Sequence, residues 1–142
     1  MSRSVYNRDG TPADLTKARQ SDVFVVTLKG SRSDSARMAR TLVIDLLPAG
    51  FEIETTTAAG GQSLANYSWL KDTTETASTE ARDDRYIAAL DLGEGVKDFT
   101  LAYVVRAVTP GEFKYPALVV EDMYDPETTG RTGIGKLVVL QK

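Results

Sequence analysis

The stretch DFTLAYVVRAVTPGEF, from Asp98 to Phe113, sets the tightest limit on what this chain can fold into. Phe99, Leu101, Tyr103, Val105 and Ala107 alternate with Thr100, Ala102, Val104 and Arg106. Successive side chains leave a strand on opposite faces, so a period of two marks a strand. Pro110 and Gly111 then mark a turn: Pro presets one backbone angle and Gly tolerates the rest. The segment is committed to a sheet.

Other stretches repeat the signal. DVFVVTLKG (Asp22 to Gly30) is β-branched, nearly continuously apolar, and stops at Gly. In ARTLVIDLLPAGF (Ala39 to Phe51), Leu42, Ile44 and Leu46 share one face, and Pro48 with Gly50 closes the strand. DRYIAALDL (Asp84 to Leu92) puts Tyr86, Ala88 and Leu90 on one face. YPALVVEDMY (Tyr115 to Tyr124), GKLVVLQK (Gly135 to Lys142) and a short SVY near the start complete the set. Roughly six or seven strands separated by turn residues predict an all-β fold, with an antiparallel β-sandwich the natural architecture and a barrel the alternative.

Thr55 to Asp83 departs from the pattern. It is polar and rich in Thr, Ala and Ser, and long for a connection within a compact domain. SLANYSWLK can form a short helix capped by Ser63. Leu64, Tyr67, Trp69 and Leu70 are expected to pin its middle to the sandwich. Trp69, the one Trp of the chain, reads best as a cap over the core.

At 142 residues the chain fits one domain, residues 1–142, with a core of its own. The net charge of −3 argues against nucleic acid as a partner. No apolar run approaches membrane-spanning length, and MSRSVYNRDG contains no apolar signal region.

Cys and His are both absent. That removes thiol nucleophiles, Cys/His zinc sites and the usual proton shuttle at neutral pH. No P-loop, G-x-S-x-G or dinucleotide-binding turn occurs. Asp83 and Asp84 are adjacent, and neighbours on a strand diverge, so they make a poor acid/base pair. Glu121, Asp122, Asp125 and Glu127 supply oxygens for calcium but lack the spacing of a calcium loop, and a solvated acidic loop is the simpler reading. NYS (Asn66 to Ser68) matches the glycosylation pattern, which is short enough to recur by chance. The expectation is a non-enzyme without metal or cofactor.

Four segments in order carry a family signal: LVIDLLPAGFEIE (Leu42 to Glu54), DDRYIAAL (Asp83 to Leu90), AYVVRAVTPGEFKYP (Ala102 to Pro116) and EDMYDPETTGR (Glu121 to Arg131). Together they resemble the C-terminal macroglobulin-like domain, MG10, of bacterial alpha-2-macroglobulins. The resemblance implies a macroglobulin-like, Ig-like antiparallel sandwich and a chain that is a piece of a much larger protein. It implies a periplasmic parent, tethered to the inner membrane by an N-terminal lipoprotein anchor, that traps proteases. There a protease cuts a bait region, and a buried thioester in a separate domain, within Cys-x-Glu-Gln, is exposed and bonds to it. This chain has no Cys and cannot carry that chemistry itself.

The resemblance also gives Met123 and Tyr124 a role. In bacterial relatives a Met-Tyr pair of this domain covers the thioester and keeps water off it. Large adaptable apolar cover suits that task, and the Tyr hydroxyl can still find a polar partner. On an extended chain Met123 and Tyr124 face opposite ways, so covering one target needs a bend, which Pro126 permits. Asp83, Asp84 and Arg85 are candidates either to pin the long connection or to meet a neighbouring domain. The implied partners are the thioester domain and other macroglobulin-like domains of the parent and, through it, target proteases. Direct membrane contact is not expected, and the isolated domain is expected to be a monomer. Two alternatives stay open: a docking domain of a thioester-free family member, and a free-standing Ig-like binding module.

Overall fold

The computed structural model describes residues 1–31, 40–56, 67–70, 73–74, 76, 78–91, 98–123 and 129–142. Among them the strands are β1 (Ser2–Tyr6), β2 (Ala18–Arg19), β3 (Val23–Ser31), β4 (Arg40–Leu46), β5 (Phe51–Thr56), β6 (Ser78–Arg82), β7 (Arg85–Asp91), β8 (Asp98–Ala107), β9 (Gly111–Tyr115), β10 (Leu118–Asp122), β11 (Thr129–Arg131) and β12 (Gly135–Leu140). They form a four-stranded sheet ordered β1-β3-β8-β5, a five-stranded sheet ordered β11-β10-β4-β7-β6, and a three-stranded sheet ordered β2-β12-β9. The all-β, Ig-like sandwich expected from the sequence is what the chain adopts. Every pairing is antiparallel except the two-residue pairing of β2 with β12.

The alternation along β8 explains the core. Phe99, Leu101, Tyr103, Val105 and Ala107 face inward with Phe24, Val26 and Leu28 of β3. The five-stranded sheet contributes Val43, Tyr86, Ala88, Leu90, Leu118 and Val120 to the same cluster. Tyr86 and Tyr103 stack in it, with ring centroids 4.6 Å apart and planes at 17°. Burying each such side chain stabilises the fold by about 1.5–3 kcal/mol before the entropy of ordering is subtracted.

β8 is buried on both faces. Its other face, with Val25, forms a second cluster of Val25, Ala102 and Val104, covered by Val23, Tyr67, Trp69 and Leu70. Tyr67, Trp69 and Leu70 thus pin the connection as expected, and Trp69 is a cap; Leu64 lies outside the described residues. The indole N–H of Trp69 donates to the Arg8 carbonyl at 2.9 Å. Its ring lies against Gly10, where an added Cβ would come within 2.8 Å of Trp69 Cγ.

Some sequence expectations need correction. No described residue is helical, Tyr67–Leu70 containing a turn; Ser63 falls outside the described residues. The polar connection is shorter than Thr55 to Asp83, because β5 runs on to Thr56 and Ser78–Arg82 forms β6. The Ala39-to-Phe51 strand is β4 followed by a turn, after which Phe51 opens β5. Phe113 and Tyr115 both belong to β9, a separate strand beyond the Pro110 turn. On β4 the face buried in the core carries Thr41, Val43 and Asp45, while Leu42, Ile44 and Leu46 are half-buried on the opposite face.

Candidate functional site

The EDMYDPETTGR segment begins as β10 ends. Val120 and Asp122 point into the core and Val119 and Glu121 away from it. The last backbone tie to β4 is Met123 N–H donating to the Arg40 carbonyl at 3.0 Å. Met123 follows an inward residue, so the alternation returns it to the outer side, and it is 46% exposed. Met1, Ile134 and Leu140 are likewise exposed among the described large apolar side chains. Tyr124, Asp125 and Glu127 lie outside the described residues. Glu121 and Asp122 face opposite sides of the sheet and do not converge on one ion. Among the described residues no group of three or more acidic, His or Cys side chains is placed to hold a metal.

Asp83 and Asp84 sit in the turn joining β6 to β7, not on a strand, and Arg85 opens β7. The Arg85 guanidinium grips Asp84 through two bonds, Nε to Oδ1 at 3.0 Å and Nη2 to Oδ2 at 2.9 Å. Those hydrogen bonds hold the Asp84 carboxyl below the usual carboxylate range and push Arg85 upward. The Asp84 carbonyl accepts from Leu47 N–H at 2.8 Å, tying the turn to the end of β4. The arrangement pins the hairpin and leaves its carboxylates open to solvent.

Sequence reasoning missed a buried polar cluster. Asp45, on the core face of β4, is fully buried and ion-paired to Arg3 of β1, whose side chain is only 8% exposed. The Tyr103 hydroxyl donates to the other Asp45 oxygen. Arg3 also donates to the Pro116 carbonyl, and its guanidinium carbon lies 3.7 Å from the Tyr115 ring centroid. The Tyr115 hydroxyl is buried close to Tyr103 without a well-aligned hydrogen bond. Burial pushes the Asp45 carboxyl above the ordinary range, against the opposing charge of Arg3 and the Tyr103 hydrogen bond. Burial likewise raises Tyr103 and Tyr115, so both stay protonated. The signal was present in LVIDLL: a charge inside an apolar strand needs a buried counter-charge. The cluster ties β1, β4, β8 and β9 together, and its Arg3 and Tyr115 also line an open pocket with Val5, Leu15, Ile134 and Lys136.

The exposed end of β10 and the well-knit core acquire context from relatives. The chain matches the family described as the Bacterial Alpha-2-macroglobulin MG10 domain over residues 1–127. It belongs to that family. The alpha-2-macroglobulin of Escherichia coli K12 is 38% identical over 133 residues, a match covering 88% of this chain and 8% of that protein. The solved E. coli fragment spanning domain MG7 to the C-terminus superposes with a TM-score of 0.78 at 30% identity, covering 98% of this chain and 23% of the fragment. Trypsin-activated E. coli alpha-2-macroglobulin gives 0.77 at 31% identity, covering 98% and 10%. Salmonella alpha-2-macroglobulin reacted with methylamine gives 0.76 at 33% identity, covering 98% and 9%. This chain therefore spans under a tenth of the E. coli protein's length, and in that protein the matching region is part of a multidomain chain.

Proposed function

We propose that this chain is the non-catalytic C-terminal domain of a protease-trapping alpha-2-macroglobulin, where it docks on a thioester domain and shields it from water. The observation that carries this reading is Met123, a large apolar side chain 46% exposed just past the end of β10. Met123 and Tyr124 act as the cover. A thioester survives only while dry, and a flexible thioether with an aromatic ring fills an irregular dry contact well. Two relatives support the reading: the Salmonella protein has been captured reacted with methylamine, and the E. coli protein activated by trypsin. The reading carries with it a periplasmic parent held to the inner membrane by an N-terminal lipid anchor outside this segment.

The test uses the full-length polypeptide and follows free-thiol appearance with methylamine. Met123→Ala and Tyr124→Ala each remove on the order of 1.5 kcal/mol of apolar cover, which corresponds to about a tenfold faster reaction. Wild-type kinetics from correctly folded variants of both residues would rule shielding out.

A further inference from the structure

The exit of β10 inverts the ordinary order of polarity. Leu118 and Val120 take the first two inward positions of the strand, and Asp122 takes the third, only 3% exposed. Met123, the next residue, is turned out to solvent. Burial of apolar surface favours the opposite arrangement, with the thioether inside and the carboxylate in water.

Apolar patterning does not decide between the two. As observed, β10 buries Leu118, Val120 and Asp122. A slip of one residue exchanges the faces and would bury Val119, Glu121 and Met123 instead. Either register hides two apolar residues and one carboxylate, so the carboxylates make the difference. β11 does little to fix this end of the strand, because it is three residues long and its pairing with β10 stops at Glu121.

Asp122 lies opposite Thr41 in the pairing with β4, and both are buried on the core side. The inward end of this strand pair is therefore polar, and Asp122 has a polar or charged partner within the fold. A buried charge adds little to stability, because desolvation offsets what its partner returns; its best-attested use is to fix register. A slip would pull Asp122 from its partner and put Glu121 inward in its place.

The consequence falls on Met123. Its N–H donates to the Arg40 carbonyl at 3.0 Å, the last tie between β10 and β4. Arg40 is braced from the other side by Asp91 at the end of β7, Nε to Oδ1 at 2.9 Å. With Asp122 anchored inward, the alternation sends Met123 outward.

We infer that Asp122 is a positioning residue: its buried carboxylate fixes the register at the exit of β10 and so holds Met123 on the outer side of the sheet, where it serves as cover. This rests on the reading of Met123 as part of the shield and assigns the group that places it.

Asp122→Asn removes the charge and keeps the size. In the 142-residue chain, hydrogen exchange of the Met123 amide is expected to quicken at least about tenfold relative to that of Val120 in the same strand. Unchanged exchange at Met123 overturns the inference. So does an equal change at Met123 and Val120, which would make the carboxylate a support of the whole sheet. Asp122→Ala gives the same readout should Asp122→Asn fold poorly. In the full-length polypeptide, Asp122→Asn is expected to release thiol with methylamine about threefold faster than wild type. Added to Met123→Ala/Tyr124→Ala, it is expected to quicken the reaction no further, because it acts through the cover. A further acceleration there overturns the inference. A wild-type rate in Asp122→Asn beside a faster Met123→Ala also overturns it and leaves the shield standing. Wild-type rates in the Met123 and Tyr124 variants, with selective quickening of the Met123 amide in Asp122→Asn, would remove the shield and keep Asp122 as the residue that places Met123.

Discussion

Asp45 decides more about this fold than any apolar residue of its strand. It occupies a core position of β4, and Arg3 reaches it from β1 in the opposite sheet. Removing one partner strands a buried charge. Arg3→Met is therefore expected to lose about 3–5 kcal/mol in urea unfolding, and the double variant Arg3→Met/Asp45→Leu to recover much of that. Additive losses would mean that the two residues act separately. The pH dependence follows from the direction of the Asp45 shift. The groups facing it are Arg3 of β1, Tyr103 of β8 and Tyr115 of β9. With its folded pKa above the ordinary 3.8, its contribution is fully present below that value and is lost as pH rises through the folded value. Asp9, Asp14 and Asp84 are shifted down, so their contributions are present above the ordinary value and lost as pH falls through the lowered ones. Asp45→Asn removes only the first kind. The stability advantage of wild type over Asp45→Asn should shrink as pH rises above about 4. An advantage that grows over that range would mean that Arg3, rather than burial, sets the folded value. At this scale the site was only partly legible: the Asp in LVIDLL announced a buried partner, but Arg3 lies 42 positions away and nothing local names it.

Elements were legible where alternation coincided with burial and illegible elsewhere. β3, β7 and β8 carry apolar residues at every inward position and were read directly. β6 was missed because it is an edge strand with a single half-buried residue, Thr79, among exposed neighbours. β4 shows the subtler failure. Leu42, Ile44 and Leu46 look like a core face, yet the register gives that side of the sheet to the outside. Apolar alternation fixes which residues share a face and leaves open which face the core takes when both carry apolar residues. The turn before β2 offers a test of the Trp69 cap. Gly10 has φ +90° and its missing Cβ leaves room for the indole. Gly10→Ala meets both obstacles, so it should lose about 1–3 kcal/mol and change Trp69 fluorescence in the folded state. Unchanged fluorescence and stability would mean that the indole does not rest on this turn.

At the scale of the molecule, the question is whether the small third sheet is part of the main core or an appendage to it. Leu137 and Val139 of β12 and Tyr115 of β9 belong to the same cluster as Phe24, Phe51 and Tyr103. Phe51 meets Tyr115 edge-on at 6.0 Å, and Phe113 closes over Gly50, where a Cβ would come within 2.6 Å of the ring. The sheets therefore share one interior, and unfolding should be all-or-none. Trp69 lies in the other cluster, on the far face of the four-stranded sheet, and as the one Trp of the chain it reports that side alone. Leu137→Ala opens a cavity in the shared core and should cost about 2–5 kcal/mol. The measurement is urea unfolding followed by Trp69 fluorescence and by far-ultraviolet circular dichroism. If the core is shared, the variant shifts both curves equally and they stay superimposed, although Leu137 and Trp69 belong to different clusters. If β12 and β9 form an appendage, the dichroism change would begin at lower urea while the Trp69 midpoint stayed at its wild-type position. A sandwich with one cooperative core yields as a unit, whereas a detachable third sheet would yield before the rest of the fold.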